Sequence, residues 1–194
     1  MDPLTPSFTA RVPEGDDRAR RVCDHCSFVD YVNPRIVTGA VVAVSDAGPA
    51  FGEGAVPLEE VRILLCRRAI LPRRGYWTMP AGYMETGETI AQAVQREARE
   101  EAGVELTLDG LLAVYDVAPR SQVHLMWRAT LASPEYAAGP ESLEVRLFRW
   151  DEIPRDKLAF HSVSWALTHW KASREQAAFP PFRNPPSTAG WSDF

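Results

Sequence analysis

Residues 82–104, GYMETGETIAQAVQREAREEAGV, decide the reading of this chain. Thr89 suits a helix N-cap, and Gln92, three residues on, completes a capping box. Gly103 after Ala102 is a natural C-terminal stop. Ala91, Ala93, Arg96, Glu97, Ala98 and Arg99 between them are good helix formers. Placed at about 100° per residue, Ile90, Ala91, Val94, Ala98 and Ala102 form an apolar face, while Gln92, Gln95, Arg96 and Arg99 fall on the far side. Glu97 and Glu101 stay with the apolar residues, at the rim of the stripe beside Ile90, and Glu100 lies a little further round. Solvated charge belongs opposite an apolar face, and these carboxylates are not there. Like charges at i and i+4 repel even when exposed, and more when partly desolvated. A hard divalent cation resolves the conflict, because Mg2+ prefers carboxylate oxygen, water and phosphate oxygen.

Gly82, Glu88, Arg96, Glu97, Ala98, Glu100, Glu101, Gly103 and Val104 fall on the defining positions of the Nudix box, and on them the chain resembles the Nudix hydrolase family. Ala98 departs mildly, since the box asks there for a bulky aliphatic. The resemblance implies hydrolysis of a nucleoside diphosphate linked to another moiety, with Mg2+ or Mn2+ as cofactor. It implies metal ligation by Glu97, Glu100 and Glu101, helped by the Gly82 carbonyl, and a mainly structural role for Glu88 and Arg96. It also implies an α/β/α sandwich around a mixed β-sheet over residues 35–172.

The flanking sequence fits that architecture. Ile36 to Val44 is a β-branched run and reads as a buried strand; Ser45 to Pro57, rich in Gly and Pro, reads as a loop. Val61 to Arg67 is a second strand, followed by a basic loop from Arg68 to Gly75 and a short strand within Tyr76 to Pro80. After the helix, Leu111 to Val117, Gln122 to Leu131 and Leu143 to Trp150 read as strands, and His161 to Trp170 as a helix. Residues 1–34 read as an arm with a single CxxC knuckle, whose residues 1–22 lack periodicity. Residues 173–194 form a Pro-rich tail, expected to be irregular from Phe179 and to pack on a neighbour.

Several residues outside the helix are candidates for chemistry. Arg67, Arg68, Arg73 and Arg74 cluster before the box and suit a phosphate-rich substrate; Arg67 and Arg68 are the substrate-binding candidates. Trp77 and Tyr83 flank the start of the box and are candidates to stack on a base, although Trp77 better suits the core, as a large aromatic in a strand usually does. Glu141 and Glu144 stand where Nudix enzymes often place a further acidic residue. A carboxylate there suits a general base that activates water, and Glu144, nearer the strand, is the better candidate. Cys23-Asp24-His25-Cys26 supplies two ligands where structural Zn2+ wants four. The ligand count favours a remnant without metal; a half-ribbon completed by His25, Cys66 or a second subunit is the other reading.

The substrate is narrowed by resemblance alone. The SQPWPFPxS stretch of reduced-NAD pyrophosphatases is absent. Pro119 stands fifteen residues past Val104, where ADP-ribose pyrophosphatases often carry a proline. The CxxC, Asn33-Pro34, Cys66 to Ile70, Tyr76 to Glu85 with Ala81, and Glu141 to Arg146 are similar to a ribbon-bearing subgroup that acts on FAD and ADP-ribose. This favours pyrophosphate cleavage giving AMP and a phosphorylated product. The alternatives are a non-catalytic nucleotide sensor, or a hydrolase of NADH or RNA 5′ ends. Composition agrees: a net charge of −5 over 194 residues gives no global basic field for nucleic acid. No apolar run reaches transmembrane length, and the N-terminus lacks a signal-peptide apolar region. Three cysteines suit a reducing cytoplasm. A homodimer is the family expectation.

Overall fold

A computed structural model of the chain describes residues 5–186, which divide at Pro34–Arg35 into two compact units. The first unit is a three-stranded antiparallel sheet in the order β1 (Phe8–Arg11), β2 (Arg20–Cys23), β3 (Val29–Asp30). Part of the stretch expected to be an arm is therefore a hairpin, with Phe8 opposite Cys23 and Arg11 opposite Arg20. The turn is held by polar bonds. The Asp16 carboxylate accepts from the backbone N–H groups of Asp17 and Arg18 and from Arg20 Nε at 2.9 Å. Strands of four residues, β1 largely exposed and β2 burying only Val22 and Cys23, carry no apolar alternation to betray them.

The second unit contains β4 (Arg35–Val44), β5 (Arg62–Arg68), β6 (Trp77–Thr78), β7 (Ala81–Tyr83), α1 (Ile90–Ala102), β8 (Leu106–Val117), β9 (Gln122–Leu131), β10 (Ser142–Arg149) and α2 (His161–Ser173). Its mixed sheet runs β10-β5-β4-β9-β8, with β6 on β5 and β7 on β4. β4 is parallel to β9 from Arg35–Gln122 to Val42–Ala129. On its other side it serves two partners, β7 through Val37 to Gly39 and β5 through Ala43 and Val44. Period-two alternation along β4 divides the core. Ala40 and Val42 pack with Val94, Ala98 and Ala102 of α1; Val41 and Ala43 pack with Val163, Ala166, Leu167 and Trp170 of α2. The expected α/β/α sandwich is present.

Helix α1 begins and ends where expected. Thr89 and Gln92 form the capping box, and Gly103 closes the helix at φ 64°. Its buried face is shifted from the expected stripe: Ala93 is buried, Ala91 exposed and Ile90 only half-buried. Two adjacent i, i+4 rows are therefore buried, 94/98/102 and 93/97/101, and the second contains both glutamates. β8 starts at Leu106 rather than Leu111, because register shifts at Leu108/Gly110 and Leu111/Ala113 let the strand run through Asp109-Gly110.

The tail packs on its own chain. Phe182 donates its N–H to the Leu112 carbonyl and accepts from Val114 N–H, both at 2.9 Å. The Asn184 amide bonds both backbone groups of Asp116 at 2.9 Å. As far as residue 186 the tail is thus held by its own chain; residues 187–194 lie outside the described part. Arg128, fully buried, anchors the stretch leading into this tail. Its guanidinium lies between Phe51 and Phe179, 4.7 and 4.5 Å from their centroids. It bonds Asp109 at 2.7 Å and the Ser173 and Gln176 carbonyls at 3.0 Å.

Candidate active site

Glu97 and Glu101 face the loop around β7, and only 8% and 4% of each residue is exposed. The Ala81 N–H donates to Glu101 Oε2 at 3.0 Å. Burial pushes the Glu101 carboxyl up to about 7, with the Ala81 bond and Arg68 pulling against it and the charges of Glu97 and Glu141 pushing further. Burial also raises Glu97, opposed by the Arg96 guanidinium. Gly82 leaves room for this approach: a Cβ there would land on the Glu97 carboxylate.

Arg96 organises the rest. It grips Glu88 with two nitrogens at 3.1 and 2.8 Å, and donates to Glu97 Oε1 at 2.7 Å, Glu100 Oε2 at 3.1 Å and the Tyr83 carbonyl at 2.9 Å. Glu88, whose pKa this guanidinium lowers, also accepts from Glu85 N–H at 2.6 Å. The loop is thereby tied to the helix it precedes.

These carboxylates open onto a cleft of about 880 Å³ bounded by α1 on one side and the first turn of α2 on the other. Of the expected site residues, Gly82, Tyr83, Glu97, Glu100, Glu101 and Arg68 line it. Three do not. Trp77 is buried in the core with its ring edge-on to Phe148 at 4.7 Å, so its candidacy as a base-stacking residue is corrected. Arg67 bonds the Gly75 carbonyl at 3.1 Å and lies 3.7 Å from Glu144, its neighbour across the β5–β10 register. That pairing holds both side chains outside the cleft lining. Glu141, just before β10, lines the cleft instead, and its charge acts on both Glu97 and Glu101. Sequence reasoning missed Arg35, Gln122, His124, Phe160 and Trp165, which also line the cleft. They come from strands and a helix far apart in sequence and carry no local motif.

The donor set fits a hard divalent cation: three carboxylates and a backbone carbonyl, two of the carboxylates desolvated against their own charge. Among the described residues no three ligating side chains converge on one point; Arg96 bonds both Glu97 and Glu100. The N-terminal knuckle fits structural zinc poorly. Cys23 is buried and Cys26 exposed, and Cys23 is held below its usual range by the N–H groups of Cys26 and His25 and by the Cys26 thiol. Cys66, the third cysteine, is buried in the core of the second unit with Val94 and Ala98; the CxxC itself supplies two ligands where structural zinc wants four nitrogen or sulfur ligands.

Comparison with known proteins agrees with the geometry. The NUDIX domain family model matches residues 51–170, and the Nudix N-terminal model, a zinc ribbon, matches residues 6–32. An ADP-ribose pyrophosphatase of Methanocaldococcus jannaschii is 34% identical over 116 residues, 58% of this chain and 68% of the relative. The human 8-oxo-dGDP phosphatase NUDT18 is 33% identical over 126 residues, 63% of this chain but 38% of that longer protein. A crystal structure of a NUDIX hydrolase from Nitrosomonas europaea is 34% identical with a TM-score of 0.78, covering 95% of this chain and 98% of its own. By the family model, by its relatives and by its fold, this chain belongs to the Nudix family, hydrolases of nucleoside diphosphate derivatives.

Proposed function

We propose that this chain is a Mg2+- or Mn2+-dependent pyrophosphatase that cleaves an ADP-linked nucleotide, FAD or ADP-ribose, to AMP and a phosphorylated product. The observation that carries the proposal is the cleft itself. Its α1 side presents carboxylates and its α2 side presents Val163, Trp165 and Phe160. Its volume lies in the upper part of the range of about 300–1,000 Å³ usual for ligand pockets, which suits a nucleotide joined to a second bulky group. The archaeal ADP-ribose pyrophosphatase relative supports the same substrate class.

In this reading Glu97, Glu100, Glu101 and the Gly82 carbonyl hold the cation, which when bound neutralises phosphate charge and makes water more acidic. Arg96 keeps Glu97 and Glu100 oriented from the side away from the core. Glu141, rather than Glu144, takes the proton from the attacking water. The water oxygen bonds to one phosphorus, the bridging P–O bond breaks, and the proton passes from Glu141 to solvent. The products are AMP and the phosphorylated remainder.

The test is a chromatographic assay with Mg2+ on FAD, ADP-ribose, NADH, 8-oxo-dGDP, nucleoside triphosphates and capped RNA. AMP is expected from FAD or ADP-ribose, abolished by EDTA. Glu101→Gln should lower kcat by about a hundredfold or more, the scale of losing several kcal/mol of charge stabilisation. Preferred turnover of 8-oxo-dGDP or capped RNA would replace the substrate assignment, and no turnover with intact binding would favour a sensor.

A further inference from the structure

Five arginines line the cleft: Arg35, Arg68, Arg73, Arg96 and Arg120. Arg96 is occupied by Glu88, Glu97, Glu100 and the Tyr83 carbonyl. Arg68 donates to the Pro72 carbonyl at 2.9 Å and lies over the Phe160 ring. Arg73 and Arg120 have partners of their own. The Arg35 guanidinium differs from these. Among the described residues it has no carboxylate or carbonyl partner, and it lies 4.6 Å from the centroid of the Tyr83 ring.

That ring is itself held in place. Gln122 Nε2 donates to the Tyr83 hydroxyl at 2.8 Å, and Gln122 Oε1 meets His124 Nε2 at 3.0 Å. Strand register builds the array. Arg35 stands opposite Gln122, and Val37 stands opposite both His124 and Tyr83. Three adjacent strands thus converge on one spot, and Tyr83 directly follows Gly82, the residue against which the Glu97 carboxylate packs. An aromatic face positions a guanidinium without neutralising it. Its N–H donors remain matched in geometry and charge to phosphate oxygens, which they can engage in pairs.

We propose that Arg35, poised on Tyr83, grips a phosphate of the substrate's pyrophosphate and so selects diphosphate-linked nucleotides. This rests on the pyrophosphatase reading above. Tyr83 and Gln122 act through Arg35 and are positioning residues.

Calorimetry with Mg2+ tests it, using α,β-methylene-ADP, which keeps the phosphates and resists cleavage, and adenosine, which has none. Arg35→Gln should weaken the analogue about tenfold to a hundredfold, the scale of a charged hydrogen bond, and leave adenosine unchanged. Tyr83→Leu should reproduce much of that loss, and Tyr83→Phe less of it. Because Arg35 is exposed, the variant should melt as the wild type does. Unchanged analogue binding in Arg35→Gln overturns the proposal. So does an equal loss for adenosine, which would assign Arg35 to the base, or a wild type that binds no analogue. A wild type that binds the analogue but turns over neither FAD nor ADP-ribose sinks the pyrophosphatase reading alone. A wild type that turns over ADP-ribose while Arg35→Gln binds normally sinks the Arg35 role alone.

Discussion

Gly82 shows how narrowly a single residue can be constrained by a neighbour fifteen positions away. A Cβ at this position would overlap the Glu97 carboxylate, so Gly82→Ala must push Glu97 aside. The expected outcome is a loss of kcat of about a hundredfold or more, on the scale that misplacing a catalytic group carries, with a fold unchanged by circular dichroism. His124 gives a pH prediction. Burial lowers its pKa from 6.5 to about 4, so below pH 6.5 the unfolded chain binds the proton more readily than the folded one. Stability therefore falls as pH drops from about 6.5 through about 4, by about 3 kcal/mol from this group. Urea melts at pH 7 and pH 4.5 should show a smaller drop for His124→Gln than for the wild type. At this scale the sequence was legible where contacts are local. Glu97 and Glu101 could be placed against the apolar face because helix periodicity alone puts them there. Glu141 could not be chosen over Glu144, nor could Arg67 be placed outside the cleft, whereas the size of Trp77 already favoured the core. Which way a strand residue faces depends on a register with a distant strand.

Helix α1 was legible as an element because its ends carry their own chemistry. Thr89, Gln92 and Gly103 mark the boundaries by side-chain and backbone preference. Thr89→Ala should cost about 1 kcal/mol in a denaturant melt. If Thr89 were not the cap, stability would not change. β5, β9 and β10 were legible through their apolar runs, each to within a residue at either end. The hairpin of β1 and β2 was not, because only Val22 and Cys23 of its eight strand residues are buried and the Asp16 turn bonds carry no hydrophobic pattern. β7 was also hidden. Its three residues pair with β4, and nothing in Ala81-Gly82-Tyr83 announces a strand until that partner is known. The split loyalty of β4 to β5 and β7 is what brings the start of the box beside the α1 carboxylates.

Across the whole molecule, the sandwich could be read from the order of elements, but what closes it could not. Arg128 sits at the centre of that closure, joining β9 to Asp109, Phe51 and the chain after α2. Polar residues buried in a strand look like errors in a sequence pattern until their partners are seen. Arg128→Met should destabilise the protein by about 3–5 kcal/mol, since it leaves Asp109 and two carbonyls without their cation; a loss under about 1 kcal/mol would show that the rings alone suffice. The backbone of β8 from Leu112 to Val114 is occupied by Phe182 of the same chain, with Asn184 on Asp116 beyond it. That segment behaves as a built-in stopper. A protease that cut the chain after residue 178 would uncork the strand and leave a ready template for a strand from another molecule. Clipped preparations should turn cloudy on storage while intact ones stay clear.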